Sequence, residues 1–278
     1  PHDIILLRDN MRRFGRVVPI ISKIEKPRAV EYLQGIVEEG DGVMVARGDL
    51  GVELPPERVP RIQREAIRLA RGRAKISIVA TQMLMSMTEH ARPTHAEVSD
   101  VANAVFDGTD AVMLSDETAA GRFPVRAVET MAALAQAAEQ SPDIKAPEFP
   151  ESMRSSHAFA ISRAAVVTAE AARASAIVSF TQLGLGPRLI GTWRPPCEVL
   201  GCATSEEEMR RMALYWGVRP MRIAPVDSVE GLVAAVENAA LDQRLVRDGD
   251  TVVITSKMPF NESEVTNMLK IHSIGSRA

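Results

Sequence analysis

The chain has 278 residues, of which 46% are hydrophobic and 25% charged, with a formal net charge of −3 and two cysteines. That length can bury a full core and exceeds the ~100 to 200 residues usual for one domain, so two domains are expected. The slightly acidic balance argues against a nucleic-acid or membrane surface as partner, since both favour a basic excess, and no stretch reaches the ~18 consecutive apolar residues of a membrane helix.

In chain order, the opening PHDIILLRDN carries neither the charged lead and long apolar run of a signal peptide nor a small-residue cleavage site. A soluble, cytoplasmic protein is therefore expected. The segment DIILLRDNMRRFG reads as a helix. From there to about residue 140, short β-branched runs alternate with helical stretches. VVPIISKIE (17–25) precedes KPRAVEYLQGIVEEG, where Pro27 suits a first turn, Val30, Leu33, Ile36 and Val37 form one face, and Gly40 ends the helix. GVMVAR (42–47) precedes RVPRIQREAIRLARG, KISIVATQM (75–83) precedes EVSDVANAVFDG, and DAVMLSDE (110–117) precedes PVRAVETMAALAQAAEQ. Four such units in a row predict a parallel sheet with right-handed crossovers. Their continuous apolar runs predict helices over both faces.

The proline-rich SPDIKAPEFPES (141–152) reads as a linker. Beyond it, over 153–278, a long helix (about 153–173) leads to SAIVSF, CEVLGCA, a helix near 205–214, VRPMRIA, a helix near 228–244, DTVVITSKM and MLKIHSIG. This predicts a second, smaller α/β domain with a mixed sheet of about five strands. Cys197 and Cys202, separated by four residues and lacking a Cys or His partner pair, read as core thiols of a reducing compartment. The five histidines are scattered without ligand spacing.

The chemistry concentrates at the ends of the first strands. Side chains alternate along a strand, so Lys23 and Glu25 of ISKIE share a face. Asp49 of VMVARGDLGVE falls just past the next strand, and Thr81 of VATQM ends the third. Parallel strands lie about 4.8 Å apart, near enough for Glu25 and Asp49 to share a hard cation. The same spacing is equally compatible with two carboxylates capping the helices that follow, one of them paired with Lys23. The carboxyl ends of parallel strands are where barrels and open α/β sheets bind ligands.

Taken together, IISKIEKPRAV, DGVMVARGDLGVELP, ATQMLMSM, RPTHAEVSDVANAVFDGTDAVMLSDETAAG and GDTVVIT resemble the pyruvate kinase family, from about residue 17 to the end of the chain. The resemblance implies the second half of a (β/α)8 TIM barrel over residues 1–140 and a regulatory C-terminal domain. It also implies phosphoryl transfer from phosphoenolpyruvate to ADP, a homotetramer, and Mg2+ and K+ as cofactors. It places Lys23 against the transferring phosphoryl group, Glu25 and Asp49 on Mg2+, Gly48 and Asp49 beside the substrate carboxylate, and Thr81 over the enolate face. Ser115 and Glu117 read as structural.

The match is incomplete. It implies that the first four strands, the lid domain and the positions binding K+ and nucleotide lie outside this chain, and Pro1 stands first instead of Met. A piece of a longer polypeptide, or a chain completed by an N-terminal half, is expected. Lys26, Met85 and Asp116 stand where the family has Asn, Glu and Gly. The effector loop, rich in hydroxyls in the family, here reads TQLGLGPR, with Leu183, Leu185 and Gly186 in place of hydroxyl residues. Only Thr181 and Arg188 remain as candidate effector contacts, so activation by a bisphosphorylated sugar is not expected. Two readings from other classes stay open: a non-catalytic subunit derived from the family, and another metal-dependent enolate-forming barrel enzyme such as an aldolase.

Overall fold

The structure is a computed structural model describing residues 1–141, 148–181, 184–259 and 265–276. Half of the linker segment read over 141–152, residues 142–147, and Leu183 lie outside the described residues. The chain divides into two compact units, Pro1–Phe149 and Pro150–Ala278.

Unit one begins with helix α1 (His2–Arg13) and continues β1 (Ile21–Ile24), α2 (Pro27–Glu31), α3 (Leu33–Glu39), β2 (Gly42–Ala46) and α4 (Arg47–Glu53). Then follow α5 (Val59–Arg71), β3 (Ile76–Ala80), α6 (His95–Phe106), β4 (Ala111–Met113), α7 (Asp116–Ala119) and α8 (Pro124–Glu139). The four strands lie side by side in sequence order, all parallel, as expected for half of a (β/α)8 barrel. Burial follows from composition. β3 is buried along its whole length, and Ile24, Val43 and Val45 pack against Leu33 and Val37 of α3 and Ile62, Ala66 and Leu69 of α5. A second cluster joins Val79 to Met83, Met87, Val101 and Ala104 of α6, and Ala127 and Met131 of α8. Met83 and Met87 are therefore packing residues, while Met85 is exposed.

Several boundaries differ from expectation. The helix read over 26–40 breaks at Tyr32, whose ψ of 18° offsets α2 from α3. The offset buries Leu33 and Val37 while Tyr32 stays exposed. The fourth strand has only three residues, ending before Ser115, whose backbone turns to ψ −99°. The third strand stops at Ala80, and Thr81 and Gln82 both adopt positive φ (68° and 55°). A short helix, α4, forms between β2 and α5 where the sequence pattern predicts no element: its two glycines hide the helical pattern, and burial of Leu50 in the first cluster holds it down.

Unit two comprises α9 (Glu151–Arg154), α10 (His157–Ala172), β5 (Ala176–Phe180), α11 (Leu185–Thr192), β6 (Glu198–Ala203), α12 (Glu206–Met212), β7 (Val218–Arg222), α13 (Val229–Asp242), β8 (Thr251–Ser256) and β9 (Met268–Ser273). Its sheet runs β7-β6-β5-β8-β9, with only β9 antiparallel. Alternation along each strand feeds two cores. Val178, Leu200, Val252 and Ile254 meet α13 through Leu232 and Val236, whereas Ile177, Val199 and Val253 meet α10 and α11 through Val166 and Ile190. The long helix read over 153–173 is two helices, because Ser156 turns extended and caps α10, its hydroxyl accepting from Phe159 N. Trp193 anchors this side: its Nε1 donates to Ser162 at 3.1 Å, and its ring packs on Phe159. Both cysteines are free thiols, Cys202 buried and Cys197 half-buried. Burial pushes the Cys202 thiol far up.

Candidate active site

Register decides what meets at the carboxyl ends of the strands in unit one. Ile24 pairs with Val45, Ala46 with Ala80 and Ala80 with Met113. One step further along, Glu25, Arg47 and Thr81 arrive on neighbouring strands, and the first turn of α4 carries Gly48 and Asp49 over the same rim. Ile24 points into the helix layer. Alternation turns Lys23 and Glu25 to the opposite face of the sheet.

Lys23 Nζ pairs with Glu25 Oε1. Hydrogen bonding and charge from Glu25 hold the Lys23 ammonium above its ordinary pKa, and Asp49 adds to the effect. The Lys23 hydrogen bond in turn holds the Glu25 carboxyl below its usual range, against the opposing pull of burial, with nearby Asp49 a lesser influence in the same direction. Glu25 and Asp49 are thus neighbours across two strands, with an ammonium alongside. Lys26, one residue on, pairs with Glu53 at the far end of α4.

The arrangement fits a divalent ion. Glu25 Oε1 is buried and, apart from its ion-pair contact, takes no hydrogen bond. Among the described residues no group of three or more acidic, His or Cys side chains converges. A cation here would have two carboxylates and would complete its shell from water and substrate oxygens, which is how Mg2+ is commonly held and unlike a closed Ca2+ cage.

Thr81 Oγ1 lies 2.8 Å from Gly48 N, accepting its proton, and donates to Ala80 O. The Gly48 amide is therefore engaged by Thr81. A Cβ built on Gly48 would meet Thr81 Oγ1 at 3.4 Å, an ordinary contact. Folding alone does not require glycine there. Two consecutive residues in the left-handed region, one of them β-branched, cost about 1–2 kcal/mol each. Arg47, only 9% exposed, spans that turn: its guanidinium donates to Thr81 O, Gln82 O and Asp100 and also reaches Met83 Sδ. Sequence reading gave Arg47 and Asp100 no role. The available signal was a lone arginine directly after a fully apolar strand, which must be paired if it is buried.

Ser115 and Glu117 sit at the end of β4, where buried Glu117 accepts from Leu84 N and Ser115 N. The opposite rim has a different composition: Asp41 accepts from Ile20 N and pairs with Arg8, and Asp110 accepts from Ser77 N, tying strand starts together. In unit two, Thr181 accepts from Gly184 N, and Arg188 is buried in the first turn of α11 with its guanidinium over the Tyr215 ring. Leu185, Gly186 and Arg188 thus belong to a helix and not to a loop, and Arg188 is no exposed cation. Arg210, Arg211 and Arg219 pair with Glu206, Glu207 and Glu198. His272 is buried against Glu237 at 2.8 Å, and the other four histidines are exposed. Among the described residues, no helix is long and apolar enough to cross a membrane.

Comparison with known proteins agrees with this geometry. Residues 1–128 match the family model described as pyruvate kinase, barrel domain, and residues 159–272 match pyruvate kinase, alpha/beta domain. The chain is 43% identical over 277 residues to a pyruvate kinase of Mycobacterium tuberculosis, covering 99% of this chain and 58% of that protein. Pyruvate kinase 2 of Synechocystis is 43% identical over 274 residues, covering 99% and 46%. A pyruvate kinase of Clostridium acetobutylicum is 40% identical over 277 residues, covering 99% and 59%. The chain belongs to the pyruvate kinase family. It spans about half the length of these relatives.

Proposed function

We propose that this chain supplies the phosphoenolpyruvate and Mg2+ side of a pyruvate kinase active site, which transfers the phosphoryl group to ADP. The observation that carries the reading is the convergence of Lys23, Glu25 and Asp49 on one rim of a parallel sheet. Lys23 places a fixed positive charge where negative charge moves from phosphoryl oxygens to the enolate, and such preorganised charge is commonly the largest catalytic term. Glu25 and Asp49 would hold Mg2+, which supplies Lewis-acid and templating chemistry when bound. Thr81 keeps its hydroxyl at the Gly48 amide, so an arriving substrate carboxylate competes for that N–H or turns to the amide of Asp49. Thr81 then faces the carbon of the enolate that must take up a proton.

The whole activity needs more than this chain's rim. A four-stranded sheet in which, among the described residues, β1 and β4 are each paired on one side only favours a protein completed by a further half barrel, and the family reading adds a homotetramer, K+ and a cytoplasmic site of action. Residues 1–140 and 153–278 would then serve as the barrel and regulatory domains. A coupled assay of the intact gene product with phosphoenolpyruvate, ADP and Mg2+ tests the reading. Lys23→Met is expected to lower kcat by about 10²-fold or more with Mg2+ binding retained, whereas Asp49→Asn shifts the Mg2+ titration to higher concentration. Unchanged turnover in the first variant removes Lys23 from the mechanism, and an unaltered titration in the second removes Asp49 as a ligand. Cleavage of an oxo acid without ADP dependence would favour an aldolase instead.

A further inference from the structure

Arg47 lies one residue before the glycine and aspartate of the rim, yet its side chain turns away from solvent and towards β3. Nε and Nη2 both donate to Thr81 O, at 3.2 and 2.9 Å, and Nη2 also donates to Gln82 O at 3.0 Å. Nη1 meets Asp100 Oδ2 of α6 at 2.5 Å. Thr81 and Gln82 are the two consecutive residues with positive φ. Their carbonyls have left the strand ladder and would otherwise need other donors at a half-buried site. On the far side of the same turn, Thr81 Oγ1 receives the Gly48 N–H. The contacts form a closed circuit: Arg47 holds the backbone of Thr81, Thr81 holds the amide of Gly48, and Gly48 is Arg47's own neighbour.

We propose that Arg47 is a positioning residue for the reaction, its guanidinium fixing the left-handed turn that aims Thr81 at the substrate side of the rim, with Asp100 in turn fixing Arg47. The proposal rests on the reading of Thr81 and Gly48 as substrate-side residues given above. Geometry makes arginine specific here. A planar fork reaches two carbonyls and a carboxylate at once, whereas a lysine ammonium is a single point on a flexible stem and cannot span all three. Asp100 is 39% exposed at its side chain while Arg47 is 10% exposed, so the pair anchors a buried cation to a partly solvated anion on another helix.

The test compares the intact gene product with Arg47→Met, Arg47→Lys and Asp100→Asn. NMR-detected hydrogen exchange at the Gly48 amide, thermal unfolding and steady-state kinetics are read together. The expected result is that Arg47→Met still unfolds cooperatively while exchange at Gly48 rises roughly tenfold or more, the factor implied by losing one charge-assisted hydrogen bond. In the same variant kcat falls more than KM for phosphoenolpyruvate rises, and Arg47→Lys recovers only part of both. Undiminished Gly48 protection in a folded Arg47→Met overturns the proposal. Should that variant fail to fold, Asp100→Asn keeps the shape of its side chain and removes the charge, and full protection there overturns it equally. Loss of Gly48 protection with kcat unchanged would overturn the positioning role. If the unsubstituted protein forms no ATP, the kinase reading falls while Gly48 exchange still decides the clamp.

Discussion

At Gly48 the chain keeps a glycine that its own packing does not demand. The backbone there is helical and not left-handed, and an added methyl would sit at 3.4 Å from the Thr81 hydroxyl. Replacing a helical glycine by alanine commonly gains about 0.5–1 kcal/mol of stability. Gly48→Ala is therefore expected to unfold at the same temperature as the parent or slightly higher, while its affinity for phosphoenolpyruvate, read by the KM of the intact gene product, falls. A variant that is both less stable and fully active would reverse the assignment and make the glycine structural. Some of this site was legible from residue types alone. Alternation in ISKIE is enough to bring Lys23 and Glu25 to one face. The Arg47 contacts were not legible, because they join residues 34 and 35 positions apart, and only the register of β2 on β3 brings them together.

Elements with strong periodicity were read well, and those built on glycine were not. GVMVA, ISIVA, AIVSF and TVVITS are runs that no exposed segment would carry. α4 and α11 contain two glycines each, so their local propensity is weak and their helical state depends on buried anchors, Leu50 in one and Leu189 and Ile190 in the other. Leu50→Ala should accordingly cost about 2–5 kcal/mol, measurable as a drop in the urea midpoint. Val52, 86% exposed on the same helix, should tolerate threonine within about 0.5 kcal/mol. α6 shows the opposite case, a start signal visible in the sequence. Thr94 accepts from Glu97 N, while Glu97 accepts from Thr94 N and from Ser86 N and Oγ. Burial alone would raise the Glu97 pKa, but these hydrogen bonds outweigh it and leave it lowered. A depressed folded pKa contributes stability that is present above the unfolded value, about 4.3, and is lost as pH falls through the folded value. Urea midpoints of the parent and Glu97→Gln should therefore differ at pH 7 and converge towards pH 3. A constant gap across that range would show that the carboxylate is not the source.

The two units meet the problem of sheet edges differently. In unit two, β5 lies at the centre between β6 and β8, β9 closes one side as an antiparallel strand, and hydrophobic clusters cover both faces. In unit one, β2 and β3 have partners on both sides, but among the described residues β1 and β4 each have one, β1 leaves Lys23 exposed, and β4 is three residues long without a fully buried position. Amide protection follows burial and hydrogen bonding, so exchange in this chain should be slowest in β2, β3 and β5 and fastest in β1 and β4. Pairing to a complementing half barrel would slow β1 and β4 selectively, because only those strands gain a neighbour, while β2 and β5 stay as they were. Hydrogen exchange read strand by strand, with this chain alone and then within the intact gene product, measures the difference. Equal protection of β1 and β2 in the chain alone would mean that the open edges are satisfied by self-association instead, which sedimentation at increasing concentration would reveal as a rising mass.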